Sequence, residues 1–235
     1  MIFYLIALAV YIGLLVGIRP QPESLKEPPI PYGQHLRNIA ASLITGVVIS
    51  SVFLLTSEGT FIETTDMWLA YLGLSNNVSE ALTWPLRAVS SSVVHGNYVH
   101  LVSNLSGLGI ASVYERRVGT KRYLAVMVIG ALCSAFSIFC YRGPVVTCGI
   151  SGGVFALGAA YFTDRESMTT KEWLMMTATF SLLAVMMTMA SLETTQRTGI
   201  HRLDSIDHFG HLFGAISAIV YCKLRPLNRS KPITE

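Results

Sequence analysis

Three short polar clusters contain the side chains of this sequence that could do chemistry. They occupy residues 95–104, 149–153 and 207–211. Serine becomes a strong nucleophile when a neighbouring base takes its proton, and histidine is the usual base near neutral pH. Ser151 and His211 are therefore candidates for a nucleophile and its base. The Asn104 amide, the His100 imidazole and the Ser151 backbone N–H are candidate donors to an oxyanion.

Plainer interpretations exist for each cluster. A serine in a glycine-rich helix is usually a packing residue, and a single buried histidine is usually a satisfied polar group. The run Gly-Ile-Ser-Gly-Gly at 149–153 also fits a nucleophile elbow, but that motif requires a soluble strand–turn–helix context. A zinc protease is disfavoured because the sequence lacks His-Glu-x-x-His. The histidines that could otherwise form a metal site are His95, His100, His208 and His211.

The composition indicates an integral membrane protein. Of the 235 residues, 51% are hydrophobic and 13% are charged, and the mean hydropathy is +0.51. Average soluble domains carry about 25% charged residues, so this chain has too few to cover a soluble globule. The net charge of +3 comes from short basic clusters between apolar stretches, which argues against a nucleic-acid partner. The four cysteines lack CxxC spacing and predict neither a disulfide framework nor a metal site.

Apolar stretches predict an all-α, polytopic membrane helix bundle with seven spans. The first span lacks a basic residue before its apolar run and is predicted to be a true helix rather than a signal peptide. The spans cover roughly 1–18, 39–55, 97–114, 122–140, 149–163, 173–192 and 209–222.

The distribution of basic residues predicts the orientation. Loops 19–38, 115–122, 164–172 and 223–235 hold 13 of the 17 Lys and Arg residues and should face the cytoplasm. All three polar clusters then begin spans that run from the outside inwards, so they share one depth below the outer surface. Ionisable residues in spans are costly, and this common depth is unexpected for unrelated packing residues.

Helical spacing brings the candidate residues together in pairs. His100 and Asn104 are four residues apart and lie on one helix face. Small residues recur every fourth position after Ser151 and around His211, which lets the two helix backbones approach closely. Close approach would put Ser151 within reach of His211. The outer segment 56–94, which contains Trp68, Tyr71 and Trp84, is either a solvated loop or a partly helical hairpin in the membrane interface.

Together, these motifs resemble those of the rhomboid intramembrane serine proteases. The similarity covers about residues 39–222, and Arg87 and the run Glu115-x-Arg117 also fit family motifs. The principal matches are His100-x-x-x-Asn104, Gly149-Ile-Ser151-Gly and His211-x-x-Gly214.

The resemblance implies a six-helix core at 39–222, preceded by an extra transmembrane helix and linker at 1–38 and followed by a tail at 223–235. It implies a Ser151–His211 dyad that needs no cofactor or metal. Phe155 would stack beneath the histidine. Asp207 lies one turn before His211, and two interpretations are open for it: it orients the histidine, or it is a solvated loop residue, which is the prediction made here.

The implied partners are the lipid bilayer and the transmembrane helices of substrate proteins. These helices would be cut near their outer end. The active site would face away from the cytoplasm, and the membrane would be a prokaryotic cell membrane. The Met-rich span 173–192 is either lipid-facing bulk or a lateral gate. The rival functions are a catalytically silent, client-binding homologue and a histidine-lined transporter.

Overall fold

A computed structural model of the chain describes residues 30–142, 144–164 and 207–227, together with Ala9 and Gly13. The predicted span at 173–192, with its possible gate, lies outside the described residues. The span at 1–18 does as well, apart from those two positions. The predicted domain boundaries remain predictions.

The described part of the chain is mostly helical. Its helices are α1 (Tyr32–Asn38), α2 (Ala40–Thr56), α3 (Asp66–Leu72), α4 (Trp84–Ser90), α5 (Tyr98–Val118), α6 (Thr120–Ser134), α7 (Ser151–Thr163) and α8 (His208–Leu224). Two 3-10 helices cover Val78–Thr83 and Ala135–Cys140. Strand β1 (Leu74–Ser75) pairs antiparallel with β2 (Val146–Thr147), with Leu74 opposite Thr147. The all-α class is confirmed at this level, whereas the count of six core helices plus one stays a prediction.

Glycines explain where two helices depart from the predicted spans. Helix α5 continues to Val118, beyond the predicted end at 114, and stops at Gly119, whose φ of +80° favours glycine. Two arginines in its last turn favour this extension, because cations stabilise the negative end of a helix. Helix α7 begins at Ser151 rather than at 149, because Gly149 has a φ of +107°.

Length and apolar composition identify few spans when each helix is considered alone. Among the described residues, only the continuous stretch Thr120–Cys140 qualifies, with 21 residues and a hydropathy of 2.2. Helices α1 and α2 qualify together as one span bent by 70°. Helices α7 and α8 have 13 and 17 residues, fewer than the roughly 20 that a straight span requires. The count of seven spans therefore remains a prediction.

Small residues bring α6, α7 and α8 into close contact. A Cβ at Gly214 of α8 would collide with the carbonyl oxygen of Gly152 in α7. A Cβ at Gly130 of α6 would collide with Ala156 of α7. The backbones of these helices can approach only because no side chain stands between them, and the small-residue spacing predicts this for α7 and α8.

Segment 56–94 is not a plain solvated loop. It contains α3, α4 and a 3-10 helix, and β1 joins it to β2 just before α7. The guanidinium of Arg87 donates to the carbonyl oxygens of Ala70 (2.8 Å) and Gly73 (3.2 Å), and pairs with Glu80 at 3.0 Å. The alternative of a partly helical hairpin is thus the better description of its structure. Its position in a membrane interface stays a prediction.

Glu115 joins the start of α2 to the end of α5. Its carboxylate is fully buried and accepts hydrogen bonds from the backbone N–H groups of Ala41 and Ser42, both at 2.8 Å. It also accepts from the hydroxyls of Ser42 (2.7 Å) and Thr120 (2.9 Å). The first N–H groups of a helix have no partner within the helix, and a negative charge there is stabilising.

We expect Glu115→Ala to lower the free energy of unfolding by about 3 kcal/mol, because it leaves several buried donors unsatisfied. Thermal unfolding in detergent measures the effect. Glu115→Gln retains one acceptor oxygen and should fall between the wild type and Glu115→Ala. The matched control is Glu63→Ala, at an exposed glutamate, which should change stability by less than about 0.5 kcal/mol. An unchanged melting temperature for Glu115→Ala would contradict this role.

Candidate functional site

Ser151 and His211 are in hydrogen-bonding contact. The Nε2 atom of His211 lies 2.9 Å from Oγ of Ser151. Ser151 is the first residue of α7, and His211 lies in the first turn of α8, with only 8% of the residue exposed. When the ring proton is on Nδ1, Nε2 can accept the serine proton. The close packing of α7 on α8 therefore creates the geometry that a serine nucleophile and its base require.

Phe155 fixes the plane of the histidine ring. Its ring stacks on His211 with 4.1 Å between centroids and 9° between planes. Phe155 follows Ser151 by one helical turn, so both side chains lie on the same face of α7. The two contacts constrain the imidazole from different sides: Ser151 at the Nε2 edge and Phe155 on the ring face.

The segment before Ser151 is anchored through its backbone. The Gly149 N–H donates to the carbonyl oxygen of Ser91 at 2.8 Å. A Cβ at Gly149 would lie 2.5 Å from Cε1 and Nε2 of His100, so glycine allows the His100 ring to rest on this backbone. The predicted donor His100 is thereby brought to the start of the serine helix.

Asn104 lies one turn after His100 and is 3% exposed. Its Nδ2 atom donates to the carbonyl oxygen of His100 at 3.1 Å. An amide nitrogen carries two hydrogens, so this bond leaves the second one for another acceptor. The sequence prediction of a shared face for His100 and Asn104 agrees with this contact. The contacts of Ser151 and Phe155 with His211 join α7 to α8, whereas this hydrogen bond of Asn104 lies within α5.

His95 supports His100 from the side. Its ring is fully buried and lies 5.0 Å from the His100 ring, edge to face. Burial, reinforced by neighbouring His100, holds the pKa of His95 well below its usual 6.5. His95 is therefore neutral at physiological pH and packs against His100 without adding charge.

A small cavity of about 30 Å³ adjoins Ser151 and His211. This volume holds about two water molecules, and polar side chains on its wall can bond them. Two of these side chains, Ser91 and Ser92, shortly precede the polar cluster at 95–104. The other polar residues on the wall are Ser134, Thr147 and Asp207.

The prediction that Asp207 is a solvated loop residue is wrong. Asp207 is the N-cap of α8, and its half-buried carboxylate accepts from the Gly210 N–H at 2.7 Å. It also accepts hydrogen bonds from the hydroxyls of Ser137 and Tyr141. The sequence held a signal for this N-cap role, because aspartate is a preferred N-cap residue and Asp207 lies just before the predicted span at 209–222.

The metal alternative gains no support within the described ranges. No group of three His, Cys, Asp or Glu residues there could hold a metal ion. Among these histidines, His95 packs edge to face on His100, and His211 stacks on Phe155.

Comparison with known proteins identifies the family. A model of the Rhomboid domain matches residues 83–225, which is more than half of the chain and includes α4 to α8. Neither the comparison with curated proteins nor that with solved structures returns a match. The matched region contains all the polar clusters described above, and the chain belongs to the rhomboid family of membrane-embedded proteins.

Proposed function

We propose that this chain is an intramembrane serine endopeptidase that uses a Ser151–His211 dyad. The observation that carries the proposal is the 2.9 Å contact between Ser151 Oγ and His211 Nε2, with the His211 ring stacked on Phe155. Rhomboid membership supports the same activity at the level of the family. The dyad needs no carboxylate as a third member, because stacking on Phe155 already restricts the orientation of the His211 ring.

Acylation begins when His211 Nε2 takes the proton of the Ser151 hydroxyl as Oγ attacks the scissile carbonyl. The resulting imidazolium then gives this proton to the nitrogen of the leaving amine. One ring nitrogen thus serves both steps, and the proton on Nδ1 is never needed for the chemistry. The products of this half-reaction are the released amine and an ester on Ser151.

The tetrahedral intermediate requires donors to its oxyanion. The N–H of Ser151 is available because the first N–H groups of a helix lack partners within it, and the positive end of α7 favours an anion. The second hydrogen of the Asn104 amide and the ring of His100, resting on Gly149, supply further donors. These three groups belong to α5 and α7.

Hydrolysis of the acyl-enzyme requires a water molecule next to His211. The 30 Å³ cavity beside the dyad, with Ser91 and Ser92 on its wall, has a suitable volume and polarity. His211 takes a proton from this water as its oxygen attacks the ester carbonyl. The imidazolium then returns the proton to Ser151 Oγ as the ester bond breaks, which releases the carboxylic acid product and restores the Ser151 hydroxyl.

We propose transmembrane helices of other membrane proteins as substrates, cut near their outer end. A helical peptide bond is shielded because its N–H and C=O are already bonded within the helix. Glycine, proline and other weak helix formers near the scissile bond should therefore favour cleavage.

Labelling with a fluorophosphonate probe tests the activity against its main alternative. The probe reacts with an activated serine, so we expect labelling of the wild type at Ser151, located by mass spectrometry, and none of Ser151→Ala. A catalytically silent, client-binding homologue would bind a transmembrane helix and remain unlabelled. That result would replace the protease proposal.

We further propose a multi-pass topology in a prokaryotic cell membrane, with the active site on the extracytoplasmic side. In a cysteine-free background, which removes exposed Cys140, a cysteine at exposed Ser79 should react with an impermeant thiol reagent on intact cells. A cysteine at exposed Lys121 should react only after the membrane is opened. The opposite pattern would reverse the orientation inferred from the basic residues.

A further inference from the structure

Asp207 connects the first turn of α8 to the chain that follows α6. Its carboxylate accepts three hydrogen bonds: from the Gly210 N–H at 2.7 Å, from the Ser137 hydroxyl at 2.5 Å and from the Tyr141 hydroxyl at 2.7 Å. Ser137 is fully buried in the 3-10 helix Ala135–Cys140, and Tyr141 follows that helix. These bonds therefore link Asp207 to Tyr141, which precedes it by 66 residues, and to Ser137, which precedes it by 70 residues.

The same turn carries His211. The N–H of His211 donates to the backbone carbonyl of Asp207 at 3.0 Å, so the position of Asp207 sets where the first turn of α8 begins. The ring of Tyr141 also packs edge to face on Phe209, with 5.7 Å between centroids. Gly210 has no Cβ to obstruct the carboxylate, which can fold over the end of the helix.

We propose that Asp207 is a positioning residue for His211. Its carboxylate fastens the first turn of α8 to Ser137 and Tyr141 and thereby sets the place of the His211 ring relative to Ser151. This inference rests on the proposed function. Ends of helices fray when they lack partners, and a misplacement of about 1 Å in a catalytic group can cost about 100-fold in rate.

The Asp207→Asn variant separates hydrogen bonding from charge. The retained oxygen can still accept from the Gly210 N–H and the Tyr141 hydroxyl. The new NH₂ group can donate to the Ser137 hydroxyl, which is able to accept after it rotates. If Asp207 acts through these three hydrogen bonds, Asp207→Asn should retain most of the wild-type kcat. If Asp207 acts through its negative charge, Asp207→Asn should lose as much kcat as Asp207→Ala.

The test compares kcat and KM for a reporter transmembrane substrate, measured on folded protein below its melting temperature. We expect Asp207→Ala to lower kcat by about 10- to 100-fold with KM within about twofold of the wild type. Asp207→Asn should keep kcat within about threefold. The double variant Ser137→Ala, Tyr141→Phe leaves the cap in place and should lower kcat by about 10-fold, which decides the question if Asp207→Ala does not fold.

Tyr114→Phe is the matched control. Like Tyr141, Tyr114 donates its hydroxyl to a carboxylate, in this case that of Asp164 at 2.6 Å. Tyr114 lies near the C-terminal end of α5, whereas His100 and Asn104 lie near its start. It should change the melting temperature without changing kcat. A normal kcat in Asp207→Ala or in the double variant would overturn the positioning role. Equal losses of kcat in Asp207→Asn and Asp207→Ala would overturn it as well. In each case, an active wild type would still support the protease. A wild type that neither cleaves nor is labelled would overturn both.

Discussion

Replacing Ser151 or His211 with alanine is expected to lower kcat for a transmembrane substrate by roughly 10⁴- to 10⁶-fold. Ser151→Ala removes the only atom that attacks the carbonyl in the proposed mechanism. His211→Ala leaves the serine hydroxyl protonated and removes the acid that protonates the leaving amine. Single-turnover cleavage by folded protein measures both losses, with the melting temperature recorded for each variant.

The two substitutions should not be additive. Residues that act as one unit lose nearly all of their effect together, so the double variant should be about as slow as either single variant. Ser217→Ala is the control on α8, because its hydroxyl donates to the Gly214 carbonyl of its own helix at 2.8 Å. It should retain normal activity. Substantial cleavage by either folded single variant would disprove the dyad.

Several parts of this site could be predicted from local spacing in the sequence. Ser151 and Phe155 are four residues apart, which puts both on the face of α7 that meets His211. The small residues around Gly152 and Gly214 predict the close helix contact that joins serine to histidine. Each of these predictions depends on the spacing of residues within a helix, which can be read from the local sequence.

Contacts made by residues distant in sequence could not be predicted in the same way. The N-cap role of Asp207 had a local signal, but its bonds to Ser137 and Tyr141 depend on how the segment after α6 returns to α8. The contact of His100 with Gly149 likewise joins residues far apart in sequence, and the missing Cβ of glycine permits it without specifying it. The number of spans stays a prediction for a related reason, since α7 is too short to be recognised by length alone.

Asn104→Ala is expected to lower the turnover number by about 100- to 1000-fold while leaving substrate binding nearly unchanged. One hydrogen of its amide bonds to the His100 carbonyl, and the proposed mechanism uses the other at the oxyanion. The oxyanion exists in the tetrahedral intermediate and the adjoining transition states, so losing its donor should reduce kcat much more than substrate affinity.

Ser103→Ala provides the matched control for the structural part of this effect. The Ser103 hydroxyl makes the same kind of bond, to the Val99 carbonyl four residues earlier, at 2.8 Å. If Asn104 only stabilises α5, Asn104→Ala should resemble Ser103→Ala, with a lower melting temperature and a normal rate per folded molecule. If Asn104 stabilises the oxyanion, its rate should fall at unchanged substrate affinity by far more than any change in stability explains. Single-turnover cleavage and thermal unfolding of the two variants, measured side by side, distinguish these outcomes.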